Sequence, residues 1–387
     1  MIKVVTAYTY ELDNPEKAIQ DILGQIDIKN GLLKNSVALL FCHAQFIEMG
    51  VTEAVCESLP FDVMGCTSMY LALPSRAGEM MLTVTVLTSD DTEFATGMCE
   101  PLTAENAEDR IGALYRETVS SLSGTPAMIF AFPPTMLNLT IDIMTAALDR
   151  ACGGLPVFGT VALDMHIHIG NPKTIFKGAA YSDRMALLLF KGPVKPRFFF
   201  LRFPESSSLA QDAVITNASG PNLISINNRP AASFLKEVGL IQNDKNKYTH
   251  AIPLVIEGSD GTNPEVVVVQ DIDSNGTLIC GRHVSVGGIL NIGAITEDHV
   301  LESAKALIQE IKKNESGAGL FIFSCFLRTM MLGGGAAAEV ELIQRELSSY
   351  PGSYLYLNSG GELCPRYKKS EKTENQALQY AIIACQF

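Results

Sequence analysis

Short runs rich in Val, Ile, Leu and Phe recur along the chain at 2–8, 37–42, 81–87, 127–132, 185–190, 197–203, 265–270 and 319–324. Their length and unbroken apolar character predict buried strands. Between several of them, the segments 15–26, 44–58, 104–122, 138–151, 297–313 and 336–348 carry helical spacing, some opened by capping residues such as Asn14, Thr103 and Thr296. Strands alternating with helices predict α/β layers.

Three places share a weak internal similarity in how strand, helix and second strand end. SVALLFCHA runs through a helix to PFDVMGCTS, PAMIFAFPP through a helix to LPVFGTVALD, and GLFIFSC through a Gly-rich loop and helix to GSYLYLNSGGE. Each reads as a β-α-β unit, whose crossover makes its two strands parallel. Ligands of open α/β sheets sit beyond the carboxyl ends of the strands. The pocket candidates are therefore Cys42 and His43, Gly65 to Ser68, Gly159 and Thr160, Ser324 and Cys325, and Ser359 to Glu362. The polar, Ser-rich stretch at 204–220 places the principal domain boundary and divides the chain into 1–210 and 211–387. The expected fold class is α/β with two domains, built on repeated β-α-β units with mixed, largely parallel sheets.

Composition narrows the function. The 387 residues are 47% hydrophobic and 18% charged, the opposite of a disordered chain. With 42 acidic against 29 basic side chains, the formal charge of -13 would repel a phosphate backbone, so no nucleic-acid partner is expected. No apolar run approaches the ~18 residues that cross a bilayer, and the N-terminal MIKVVTAYTYELDNPEK has no secretory pattern. A cytoplasmic protein without membrane insertion is expected. Nine scattered cysteines without a C-x-x-C pair predict neither a disulfide framework nor structural zinc.

Several constellations carry chemistry, each beside a plainer reading. Arg328, following Ser324 and Cys325, could lower the thiol pKa or grip a ligand carboxylate through its planar fork; the alternative is a buried thiol and a structurally paired arginine. In NSGGELCP, Gly361 permits close backbone approach and Glu362 could meet a ligand ammonium, or the segment is an ordinary strand-ending turn. Gly333 to Gly335 before a helix lack the strand context and ribose-binding acid of a dinucleotide loop, so no cofactor is expected. Asp164, His166 and His168 share one strand face, yet a single H-x-H is a poor metal set and no metal is assigned. Cys42 and His43, being adjacent, point opposite ways; a cysteine nucleophile would need a distant base such as His250, His283 or His299.

These motifs, in this order, resemble the FIST family, an N-terminal FIST domain followed by a C-terminal FIST domain. LISINNRPAASFLKEVGL resembles the opening of the second domain, FSCFLRTMMLGG its Ser-Cys-x-x-Arg segment and NSGGELCP its Gly-Glu turn, while Asn375 in TENQALQYAIIA falls where the family has an Asn before its last strand. FDVMGCTSM and LPVFGTVALD resemble the two strand ends of the first domain, with Asp164 at the final Asp of the second. Thr160 and Val161 replace a usual Gly-Ser pair, and Ala377 stands where Thr is common, so a different ligand is expected. The resemblance implies a cytoplasmic sensory protein binding a small ligand such as an amino acid, with a signalling partner protein. On that reading Arg328 recognises a carboxylate and Glu362 an amine, Thr67, Ser68 and Thr160 line the cleft, and Asp164, Ser324, Cys325, Gly361 and Asn375 complete the site; no residue is assigned as catalytic. The rival expectations are an enzyme, using Cys325 as nucleophile or His166 and His168 as metal ligands, and a scaffold for a protein partner.

Overall fold

Side chains along the apolar runs divide with a period of two. Val37, Leu39 and Phe41 enter one apolar cluster, while Ala38, Leu40 and Cys42 enter another beneath the helix Pro15–Gln25. Met128, Phe130 and Phe132 join the first cluster, and Ile129 and Ala131 lie under the helices Ala107–Ser120 and Ile141–Cys152. Phe321 and Phe323 do the same, with Leu320 and Ile322 under Glu297–Lys312 and Ala337–Glu346. Both faces are covered, which explains the unbroken apolar runs. The computed structural model describes residues 2–136, 138–164, 172–203, 208–241, 252–257, 264–313, 317–333, 335–367 and 373–387.

The three β-α-β units are real, and each belongs to a longer repeat that builds one six-stranded sheet. In the first, the parallel pair Asn35–Cys42 and Val63–Thr67 is flanked by Leu82–Ser89 and Lys3–Thr9. In the second, Met128–Phe132 and Val157–Thr160 are flanked by Ala186–Lys191 and Glu93–Met98. In the third, Gly319–Cys325 and Ser353–Ser359 are flanked by Ile382–Gln386 and Arg197–Leu201. The last two strands of every sheet come from elsewhere. The hairpin Leu71–Leu73 with Arg76–Gly78 leaves the first repeat to pair with Ser353–Ser359 of the third. Thr174–Phe176 with Ala179–Tyr181 leaves the second to pair with Val63–Thr67 of the first. Glu362–Tyr367 with Thr373–Leu378 leaves the third to pair with Val157–Thr160 of the second. The exchange runs round a closed ring, and the inner faces of the three sheets share one core. Its aromatic contacts cross between repeats, including Phe41 to Phe132 at 5.7 Å, Phe158 to Phe323 at 4.8 Å and Phe130 to Phe321 at 5.4 Å.

The sheets are mixed but not largely parallel. Each of the three holds one parallel pair, and the other ladders among the described residues are antiparallel. A crossover helix makes only its own two strands parallel; the donated hairpins and returning strands reverse direction.

The stretch read as a Ser-rich linker also differs. Ser208–Ser219 is a strand, and the expected boundary at 210/211 falls inside it. It pairs with Ile289–Gly293 on one side and Asn222–Ile226 on the other, closing a six-stranded antiparallel barrel through Pro253–Glu257, Glu265–Ile272 and Leu278–Cys280. Breaks in register between Leu209 and Ala213 and between Ile215 and Asn217 interrupt its alternation, so no strand pattern is legible. The barrel interior is plugged by Ala231, Phe234 and Leu235 of the helix Ala231–Glu237. The barrel is inserted in the third repeat, and the division at 210/211 separates segments that pair with one another. The helical segment at 44–58 is split at Gly50, whose φ of +73° is left-handed. Asn14 and Thr296 cap as expected, whereas Asn106, not Thr103, stands at the start of Ala107–Ser120.

Two glycines fix how closely the paired strands approach. A Cβ on Gly65 would lie 1.8 Å from the Leu40 carbonyl oxygen, and one on Gly159 2.1 Å from that of Ala131. Overpacking against backbone cannot be relieved by a rotamer change. Gly65→Ala and Gly159→Ala are each expected to lose at least about 3 kcal/mol of stability or to abolish folding. Gly24→Ala, where a Cβ meets nothing within 4 Å in an exposed helical turn, is expected to gain about 0.5–1 kcal/mol; urea denaturation of the three variants checks both signs.

Candidate functional site

The ring of repeats brings the carboxyl ends of the second strands together. Ser68 Oγ donates to the Asn358 carbonyl at 2.8 Å, Thr160 Oγ1 to Ser359 Oγ at 2.8 Å, and the Val161 amide to the Gly361 carbonyl at 2.9 Å. The Leu163 amide donates to the Thr67 carbonyl at 2.9 Å, joining the first two repeats. Thr67, Ser68, Thr160, Gly361 and Glu362 therefore converge, and all are buried. Asp164 is buried at the edge of the described chain. His166, His168, His250 and Gly334 lie outside the described residues.

Arg328 is placed by the short helix Phe326–Met331 and is 0% exposed. Its carboxylate partner comes from the protein itself. Nε and Nη2 donate to Glu339 Oε1 at 3.0 and 2.5 Å, and Nη2 also donates to the Val300 carbonyl at 2.8 Å. Glu339 Oε2 accepts from Ser324 Oγ at 2.6 Å and Tyr356 Oη at 2.9 Å. The Phe203 ring lies 5.2 Å from the guanidinium. Arg328 Nη1 is left with no hydrogen-bond partner. The expected carboxylate clamp is thus an internal ion pair with one donor nitrogen remaining, and Ser324 is a ligand of Glu339. A buried pair of this kind needs every lone pair satisfied to offset desolvation, and the two hydroxyls serve that end.

Glu362 opens the strand donated by the third repeat and sits opposite Thr160 of the second. It is 0% exposed, and neither Oε1 nor Oε2 has a hydrogen-bond partner. Burial pushes its carboxyl well above the usual range. Ser359, Cys325, Arg328 and the Ala381 backbone lie near and pull the other way, yet none meets hydrogen-bond geometry with either oxygen. Burial thus favours its neutral, protonated form. Cys325 is pushed well above the ordinary thiol range by burial and then by Glu362 beside it. It is therefore a protonated core thiol, not an activated nucleophile.

A cap closes this end. Cys325 and Tyr380 pack against Leu327 and against Val268 of the barrel. The Val268 amide donates to Gln379 Oε1 at 2.9 Å, and the His283 amide to Asp142 Oδ2 at 3.1 Å. His283 is exposed with its ring beside Gly220, and His299 serves the helix cap of Thr296, so neither histidine stands as a base for the buried Cys325. Asn375 lies away from the cluster: its side chain accepts from the Val157 amide at 2.7 Å and donates to Asp149 and the Leu155 carbonyl, pinning strand starts rather than facing a ligand.

Glu339, Tyr356 and the role of Ser359 were missed in the sequence. Glu339 had a signal, since position 339 falls on the apolar stripe of Ala336, Val340, Ile343 and Leu347. Tyr356 had none.

Truncating Arg328 would leave Glu339 as an uncompensated buried charge, so Arg328→Ala is expected to cost about 3–5 kcal/mol in denaturant unfolding. For Glu362, an unfolded carboxyl titrates near 4.3 and the folded one higher. The stability it contributes is full below about pH 4.3 and is lost as pH rises through the folded value. Glu362→Gln removes that loss: the variant is expected to match the wild type below about pH 4 and to be the more stable at pH 7, as read from thermal unfolding across pH.

Two family models match the chain, the FIST N domain over residues 36–229 and the FIST C domain over 231–365. Among curated proteins no sequence matches. Among solved structures, the chain is similar to two cyanuric acid hydrolases, one from A. caulinodans, each at 7% identity over 100% of this chain and 98% of the other, with TM-scores of 0.36 and 0.39. It is also similar to a chorismatase at 7% identity, over 100% of this chain and 99% of that one, with a TM-score of 0.36. Repeated strand ends, the Ser-Cys-x-x-Arg segment beneath the barrel, the buried Gly-Glu turn and two adjoining family matches agree: the chain belongs to the FIST family, with an N-terminal and a C-terminal FIST domain.

Proposed function

We propose that this protein is a sensor of a small polar molecule, bound where Glu362, Cys325 and Arg328 meet beneath the barrel. FIST domains are sensory domains, and the observation that carries the reading is that three of the buried polar atoms without a hydrogen-bond partner, Arg328 Nη1 and both Glu362 oxygens, belong to this one cluster. Leaving buried donors and acceptors unmet costs on the order of 1–3 kcal/mol each. A ligand that meets them recovers that energy, and the barrel contact at Val268 and Gln379 would register its arrival. Thr160, Ser359 and Gly361 form the floor. Asn375 and Ser324 act from behind, holding strand ends and the Glu339 hub. The chain's nine free thiols, all buried, support a reducing, cytoplasmic setting. A signalling partner would read the position of the barrel. An acyl- or group-transfer role for Cys325 is disfavoured, because burial beside Glu362 suppresses its thiolate.

A thermal-shift panel of amino acids, small carboxylates, lactams and imides, nucleotides and divalent metals tests this. A bound compound at 100 times its Kd adds about 2.7 kcal/mol to stability, and Glu362→Ala is expected to abolish the shift. A panel in which nothing stabilises the protein, or in which the hits survive Glu362→Ala, overturns the assignment.

A further inference from the structure

The charges at this site are already spoken for. Arg328 and Glu339 are each 0% exposed and neutralise one another across 2.5 Å. Ser324 and Tyr356 complete the Glu339 carboxylate. Glu362 has no cation within ion-pair distance among the described residues, no hydrogen bond and no access to water. An ionised carboxylate in that position would pay a desolvation cost that no ion pair or hydrogen bond repays, so burial favours the neutral acid. A neutral acid presents one O–H donor and one carbonyl acceptor side by side, and Arg328 Nη1 adds N–H donors. No net charge remains to receive either end of a zwitterion: a ligand carboxylate would compete with Glu339, and a ligand ammonium would have to ionise Glu362 and break its own hydration.

We infer that the ligand is uncharged and of cis-amide type, a lactam, imide or ureide whose adjacent N–H and C=O pair with the Glu362 carboxyl while a second carbonyl accepts from Arg328 Nη1, rather than an amino acid. This rests on the sensor reading of the same site. A carboxylic acid and a cis-amide form two parallel hydrogen bonds without moving charge, which satisfies the orphan atoms at the least desolvation cost. Thr160 and Ser359 hydroxyls, already bonded to each other at 2.8 Å, bound the floor. The repeat ring sets this corner apart from its counterparts: the positions that open the donated hairpins in the other two sheets are Leu71 and Thr174, which carry no ionisable group.

Isothermal titration calorimetry of the full chain with δ-valerolactam, glutarimide and hydantoin, and with 5-aminovalerate as the ring-opened zwitterion of the first, tests the inference. At least one cyclic amide is expected to bind about tenfold or more tightly than 5-aminovalerate, with the same heat in buffers of different ionisation enthalpy because no proton moves. Glu362→Gln, which keeps a donor and an acceptor, is expected to hold that affinity within about threefold, while Glu362→Ala loses it. Tighter binding of 5-aminovalerate, uptake or release of about one proton on binding, or failure of all three cyclic amides overturns the inference. If a charged compound from the thermal panel binds in a Glu362-dependent way, the sensor reading stands and this inference falls; if no compound of any class binds, both fall.

Discussion

None of the three six-stranded sheets is complete without a strand pair from another repeat, and that constraint governs everything else. Each repeat supplies four strands of its own sheet and donates a hairpin to the next, so the three sheets close around one core of phenylalanines. Opening one sheet exposes the inner faces of the other two. The aromatic contacts run between repeats, including Phe41 with Phe323 and Phe158 with Phe323, which ties distant segments of chain into one cooperative unit. Such a topology places the chain at the non-local end of contact order, where long loops must close before contacts reward them.

The same ring assembles the buried polar cluster. It carries the carboxyl ends of three parallel pairs to one end of the core, where the backbone is laced by Ser68, Thr160, Val161 and Gly360. In two repeats a glycine, Gly65 or Gly159, lets the second strand press against a carbonyl of the first. In the third, where Ile322 pairs with Tyr356, the phenol points outward to Glu339. Divergence of a repeated backbone thus converts an apolar layer into a polar hub of Ser324, Arg328, Glu339 and Tyr356. The barrel, inserted in this repeat alone, covers the result through Val268.

Pairing sets the two fully buried glutamates of the third repeat apart. Glu339 accepts from Arg328, Ser324 and Tyr356. Glu362, equally buried, receives no hydrogen bond, and burial pushes its carboxyl well above the usual range. One is bound into the fold by three partners; the other has no hydrogen-bond partner.

Much of this was legible in the sequence. The continuous apolar runs gave the strands buried on both faces, the three similar strand endings gave the repeats, and Ser324, Cys325, Arg328, Gly361 and Glu362 were marked as belonging together. Local patterns carry such information because burial and turn chemistry act over a few residues. Tertiary structure alone decided the rest. The donated hairpins are short strands whose partners lie about a hundred or more residues away, as Leu71 with Leu357, and no local period reports a partner. The strand Ser208–Ser219 read as a linker because its pairing is broken by bulges and completed on both sides by other barrel strands. The partner of Arg328 was decided in the same way: Glu339 follows it by eleven residues across a Gly-rich loop, and only the packing of Ala337–Glu346 over the sheet turns that carboxylate inward. Charge and residue type are properties of the chain, but whether a charge is paired, neutralised or left waiting depends on which surfaces the fold presses together.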